Sequence, residues 1–187
     1  MKLTFFAVIL VHQIVSNNIP DDFIDEIDSQ SFTSGIYWVL KKTLRTLKGV
    51  NCAIKGAVNM KNAALTFISD VKACGVAATK QVQAVIKSCN AVVSTTNDII
   101  NVNENICNNS SSSSENNDGK KTGWKCFWKL LKKFNTLKNQ VQKTVKQIKN
   151  IPSIGTGANT CVTTAANELT IPFTGFPAFV TACSKLN

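Results

Sequence analysis

Histidine is nearly missing from this chain: the single one, His12, lies within the first sixteen residues. From residue 17 onward there is no imidazole, which removes Ser–His–Asp and Cys–His nucleophilic sites and most zinc sites, because each needs that ring as base or ligand. No Cys-x-x-C pair offers a redox or zinc role. Arginine is as scarce. Arg45 is the only one, so bidentate capture of phosphate by an arginine cluster is excluded. Apolar runs are short, and none reaches the eighteen or so residues that a membrane helix needs. Carboxylate pairs can run glycoside chemistry without histidine, but Asp98 and Glu104, six residues apart, face different sides of a helix. Lone Asp70 and Glu168 read as surface. The expectation is a chain that is not an enzyme and holds no cofactor and no metal.

Cysteine, by contrast, is plentiful. Cys52, Cys74, Cys89, Cys107, Cys126, Cys161 and Cys183 all lie beyond residue 16. Residues 1–16 have the make-up of an export signal: Lys2, then the apolar run Leu3 to Val11 (LTFFAVILV), then Ser16 as a small residue at a cleavage point. Nine helical residues span only about 14 Å, against a bilayer core of about 30 Å. A secreted, extracellular chain is expected, in a compartment where disulfides persist. Seven is odd, so either one thiol stays buried and free or one cysteine joins two chains as a covalent homodimer.

Charge is unevenly placed. The chain carries 21 Lys plus Arg against 11 Asp plus Glu, a formal net charge of +10. Residues 17–34 hold Asp21, Asp22, Asp25, Glu26 and Asp28 with Pro20 and read as a flexible acidic arm, whereas residues 120–149 hold ten lysines and no acid. Both stretches are either solvated surface, or the arm is a pro-segment or clasp that masks the basic region.

Apolar spacing predicts helices throughout. Ile36, Leu40, Leu44 and Leu47 make one helical face, ended by Gly49. Ile54, Val58, Leu65, Ile68 and Val71 form a second stripe, and Val82, Val85, Ile86, Cys89, Val92, Val93, Ile99 and Ile100 a third. Strict alternation is absent, which argues against strands. Residues 108–123 (NNSSSSSENNDGKKTG) form a low-complexity loop with two glycosylation sequons, at Asn108 and Asn109. Ser114, Asn116, Asp118 and Gly119 have calcium-loop spacing, but Lys125 stands where a bidentate Glu is required. Trp124 to Asn150 is the clearest helix, with Phe127, Leu130, Phe134, Leu137, Val141 and Ile148 on one side. Lys125, Lys129, Lys132, Lys133, Lys143 and Lys146 are the candidate contacts for an anionic partner. A short helix over Cys161 to Leu169, a turn at Pro172, Gly175 and Pro177, and a resumed stretch over Ala178 to Lys185 complete the reading.

Two segments look related. KTLRTLK (residues 42–48) and KTVKQIK (143–149) each precede two cysteines 22 positions apart, Cys52 with Cys74 and Cys161 with Cys183. A duplication would make helical unit 1 (residues 35–107) and helical unit 2 (124–187) relatives, each closed as a hairpin by its own cysteines. Either way the expected fold is an all-α, disulfide-stapled helical bundle.

The export signal MKLTFFAVIL, the Cys-punctuated helical segments VKAC and IKSC, and the closing VTAC give the chain the build of small secreted insect proteins of gut, salivary or reproductive glands, and it resembles the TsetseEP-type family. It departs from that family in having no Glu-Pro repeat tail. The resemblance implies secretion, helices and a binding role, and transfers no functional residue. The expected activity is that of a non-enzymatic binding or effector protein using the lysine-rich helix as its contact surface. A membrane-active host-defence protein and an apolar-ligand carrier are the alternatives. The partner would be an extracellular protein, an acidic glycan or an anionic membrane surface. Nucleic acid fits poorly with export and a single arginine.

Overall fold

The computed structural model describes residues 30–75, 79–109, 119–151 and 157–186; the expected export signal, most of the expected acidic arm and the centre of the Ser/Asn loop lie outside them. Five helices follow in order: α1 Gln30–Thr43, α2 Leu47–Ala73, α3 Lys80–Asn105, α4 Trp124–Lys149 and α5 Gly157–Cys183, closed by a 3-10 turn Ser184–Leu186. No strand occurs among the described residues; the nearest thing is a single antiparallel bridge between Thr46 and Lys121.

The buried positions explain the arrangement. In α2 they run Val50, Ala53, Ala57, Met60, Ala64, Phe67, Val71, alternating steps of three and four. The same alternation recurs in α3 (Val82, Val85, Cys89, Val92, Thr96, Ile99, Asn103) and in α4 (Phe127, Leu130, Phe134, Leu137, Val141, Thr144). In α5, Ala166, Leu169, Phe173, Phe176, Val180 and Cys183 repeat it. A stripe with a mean step of about 3.5 residues is what lets long helices pack side by side along their whole length. Helices α2 to α5 accordingly form a closed four-membered bundle in which α2 touches α3 and α5, and α4 touches α3 and α5; α1 lies across α5 and α4. One core takes residues from every helix, so the two helical units do not have separate interiors.

Three disulfides fasten the bundle: Cys52–Cys183, Cys74–Cys161 and Cys107–Cys126. The first two tie opposite ends of α2 and α5, which therefore run antiparallel. This overturns the expected Cys52–Cys74 and Cys161–Cys183 hairpins. Cys52 stands on α2 and Cys74 caps its end, while Cys161 and Cys183 both stand on α5, so each pair is 22 residues or about 33 Å apart, far beyond the roughly 7 Å that a disulfide allows between Cα atoms. The matched spacing has a geometric cause. Two antiparallel helices with equal rise per residue, stapled at both ends, require the same number of residues between staples. Twenty-two residues also turn about 2,200°, within about 40° of six full turns, so both sulfurs of each helix face the partner.

Other boundaries differ from expectation for local reasons. Gly49 lies inside α2; the break falls earlier, where Thr46 adopts extended backbone and its hydroxyl accepts from Gly49 N at 3.1 Å as an N-cap. Helix α1 begins at Gln30, within the stretch read as a flexible arm. The turn expected at Pro172, Gly175 and Pro177 does not form, because α5 runs through both prolines. A helix-interior proline costs about 3 kcal/mol, whereas burying Leu169, Phe173, Phe176 and Val180 contributes about 1.5–3 kcal/mol each. Packing outweighs propensity here, with Cys161 and Cys183 holding both ends. The Thr170 and Thr174 hydroxyls add bonds to the carbonyls of Ala166 and Thr170, at 2.8 and 2.9 Å.

Helix α2 ends where Gly75 takes a positive φ of 65°, a conformation glycine adopts without strain. Gly56, in mid-α2, has a different role. A Cβ there would sit 2.6 Å from Cδ1 of Phe179, so glycine allows α5 to approach. In an unconstrained helix Gly→Ala stabilises by about 1 kcal/mol. Here we expect Gly56→Ala to destabilise by about 1–3 kcal/mol through overpacking, read as a lower Tm in thermal denaturation; a higher Tm would contradict the close α2–α5 approach.

Candidate functional site

Helix α4 divides into two sides. Leu130, Phe134 and Leu137 are fully buried, while Lys125, Lys129, Lys132, Lys143 and Lys146 are exposed. Lys125 and Lys143 are eighteen residues apart, five turns at about 3.6 residues per turn, so they share one line along the helix about 27 Å long. Lys129 and Lys132 fall within about 40° of that line. Lys133 leans toward α3 and forms an ion pair with Asp98 at 2.7 Å. Lys138, not among the expected contacts, is buried, and desolvation pushes its ammonium pKa below the usual value. The described residues hold only four acids, Asp70, Asp98, Glu104 and Glu168, none of them on α4. The cationic line is therefore a fixed surface feature, held by a stripe in the core.

The N-terminal end of α4 carries a second feature. Trp124, Phe127 and Trp128, at steps of three and one, form an aromatic cluster with ring centroids 5.2–6.5 Å apart. Phe127 is buried and roots the cluster, whereas Trp124 is 76 % exposed and Trp128 40 %. Facing them across an open groove of about 860 Å³ are Lys41, Lys42, Arg45 and Thr46 from the α1–α2 junction and Lys121 and Thr122 from the strap before α4. The strap is pinned to that junction by two backbone bonds: Leu47 N donates to Lys120 O at 3.0 Å and Thr122 N to Arg45 O at 2.8 Å. The Cys107–Cys126 bridge fixes the start of α4 beside it. Trp38 stands exposed nearby on α1, with the Lys41 ammonium 4.9 Å from its ring centroid.

The sulfurs offer no chemistry of their own. Six are bonded, and Cys89, fully buried in α3, is the free one. Of the two fates open to the odd cysteine, the structure shows the buried thiol, out of reach of a second chain. Burial pushes its pKa up to about 12, leaving it a protonated, inert thiol near neutrality. Among the described residues no three His, Cys, Asp or Glu side chains stand together as metal ligands would, and no helix is long and apolar enough to cross a membrane.

The two sequons separate. Asn108 is exposed, with a positive φ of 48°. Asn109 is 2 % exposed, and its amide donates to Asn51 Oδ1 at 2.6 Å and to Asn103 Oδ1 at 3.0 Å. The side-chain nitrogen that a glycan would occupy is enclosed and bonded in this fold. Asn109 instead anchors the loop, since Asn103 also donates to its carbonyl.

Comparison with protein-family models, curated proteins and solved structures finds no match. The site is defined by its own residues. Helical spacing alone put the α4 lysines opposite the apolar stripe that holds Phe127. It missed Lys41, Lys42, Arg45 and Lys121, because the groove joins segments some eighty positions apart. The local signal was there in Tyr37–Arg45 (YWVLKKTLR), where an exposed tryptophan adjoins three cations.

Cys89 gives a direct check. We expect no reaction with a thiol reagent in the native state, and one thiol per chain once guanidinium unfolds the unreduced protein. Between pH 9 and about 12 the unfolded chain loses this proton and the folded chain keeps it, so the thiol's contribution to stability is full below pH 9 and is lost as pH rises. Cys89→Val should therefore lose less stability than wild type between pH 8 and pH 10, measured by urea denaturation; equal losses would contradict the burial.

Proposed function

We propose that this chain is a secreted, non-enzymatic binding protein that holds an extended anionic partner, an acidic extracellular glycan, along the lysine line of α4. The observation that carries the reading is the alignment of Lys125, Lys129, Lys132 and Lys143 on one exposed face with no acid on the helix. Flexible lysines on a rigid rod suit a polyanion of repeating charge, because they attract it at long range without demanding one planar geometry. Export is supported by the apolar run Leu3 to Val11 and by three disulfides, which persist outside reducing compartments. The missing histidine and the inert Cys89 support a non-enzymatic role.

The host-defence alternative gains nothing from α4. A helix that lies in a bilayer interface must turn its apolar face to lipid, and here Phe127, Leu130, Phe134, Leu137 and Val141 face the core of a stapled bundle.

Retention on an immobilised sulfated glycan tests the proposal. The native protein should bind at low ionic strength and elute as salt rises, since exposed charges are screened over about 8–10 Å at 0.10–0.15 M. The triple variant Lys129→Glu, Lys132→Glu, Lys143→Glu should elute at markedly lower salt, with an unchanged helical spectrum. Flow-through of the wild type, or identical elution of both proteins, would sink the reading.

A further inference from the structure

We infer that the groove at the aromatic end of α4 is a second, separate binding site, for a single-chain amphiphile with an anionic head: a fatty carboxylate, an alkyl phosphate or an alkyl sulfate. The shape and the lining of the groove converge on this class. The groove, at about 860 Å³, has the size of a small-molecule site, which commonly spans about 300–1,000 Å³. Its walls are joined by two backbone hydrogen bonds and flanked by the Cys107–Cys126 bridge, so it exists before any ligand arrives. That spares the ordering cost that weakens binding at mobile surfaces.

Its lining is of two chemical kinds. Trp124, Phe127 and Trp128 supply an apolar surface, and Lys41, Arg45 and Lys121 supply positive charge beside Lys42, with no carboxylate among the described lining residues. An uncharged hydrocarbon would make no use of Lys41, Arg45 and Lys121; a small inorganic anion would make no use of the rings. A molecule that is apolar at one end and anionic at the other satisfies both.

The polar remainder of the lining narrows the class further. Among the described residues it consists of Thr46 and Thr122, and the Thr46 hydroxyl is already an acceptor for Gly49 N. Among the described lining residues there is no Asn, Gln, Asp or Glu to read the edge of a base or the hydroxyls of a sugar, which favours an alkyl chain over a nucleotide or saccharide at the apolar end. The exposure of Trp124 and Trp128 has the same explanation, since large rings left in water at a rigid concave surface are area for a ligand to cover. A flat bilayer fits less well, because the cations and the rooted Phe127 lie across a concavity from one another.

The protein supplies its own reporter. Its three tryptophans are Trp38, Trp124 and Trp128: two line the groove, and the third packs against Lys41, which also lines it. Titration of the full, disulfide-intact chain with decyl phosphate and decyl sulfate, below their micellar concentrations, should give a saturable blue shift of tryptophan emission. Calorimetry should show one molecule bound per chain. The pair Arg45→Glu, Lys121→Glu should weaken both ligands at least tenfold, as should Trp124→Ala. All three side chains are exposed, and the strap is held by backbone atoms, so circular dichroism should be unchanged. The α4 variant Lys129→Glu, Lys132→Glu, Lys143→Glu should keep wild-type affinity for decyl phosphate, which separates this site from the glycan surface.

The inference is overturned by any of the following: no saturable response to either anionic amphiphile; an equal response to decyl maltoside, which lacks the charge; tighter binding of ATP; or unchanged affinity in the Arg45→Glu, Lys121→Glu pair. A response to phosphatidylserine vesicles without one to the monomeric amphiphiles would also overturn it, in favour of a membrane surface. So would a matching loss of affinity in the α4 variant.

Discussion

Cys52 bonds to Cys183 and Cys74 to Cys161, so α2 and α5 are clamped at two levels about 33 Å apart, with Cα–Cα distances of 5.6 and 5.8 Å. One staple would let the helices splay or slide; two fix their register. With that register set, Gly56 meets Phe179, and α5 is held in a helical path that Pro172 and Pro177 would otherwise interrupt. Closing loops of 131 and 87 residues each restricts the unfolded chain by an amount worth about 4–5 kcal/mol in the loop-entropy account. That is comparable with the whole net stability of an ordinary domain, about 5–15 kcal/mol. A bundle with small residues such as Ala53, Ala57 and Ala64 along one core stripe depends on such bonds more than one lined by leucine throughout.

The staples also decide what the surface can do. Because α2 and α5 form one rigid side, α3 and α4 pack their stripes against it, and the lysines of α4 have only the outer face left. Asn103 sits at a core position where an apolar residue would be expected, and it is satisfied there by Asn109 and so draws in the start of the Ser/Asn loop. The third disulfide, Cys107–Cys126, then places α4 at a set distance from the end of α3. Its first turn thereby lands beside the α1–α2 junction, where the aromatic cluster meets four cations. Rigid scaffold and charged surface are two consequences of one pattern of spacing.

Much of the fold was legible in the sequence because a 3–4 alternation of apolar residues has a single structural meaning over six or seven turns. The first four described helices were signalled this way, whereas α5 was expected only as a short piece over Cys161 to Leu169; Ile36, Leu40, Leu44 and Leu47 are all buried as their spacing implied. Partner choice was less legible. The equal 22-residue intervals looked like duplication, because a repeat and an antiparallel ladder leave the same mark on a sequence; only the length of the two helices tells them apart. Pro172 and Pro177 misled for a related reason. Local propensity carries a fixed cost, and the packing that outweighs it comes from Gly56 and its neighbours, more than a hundred positions away. The lysine line could be read because it is local to one helix, whereas the groove is a tertiary object.

Peptide mapping of the unreduced, folded protein by mass spectrometry tests the central claim most directly. The account predicts cross-linked peptides containing Cys52 with Cys183, Cys74 with Cys161 and Cys107 with Cys126, and a peptide with Cys89 unmodified. Peptides joining Cys52 to Cys74 or Cys161 to Cys183 would mean two separate hairpins and would contradict the antiparallel clamp on which the cationic face and the groove both depend.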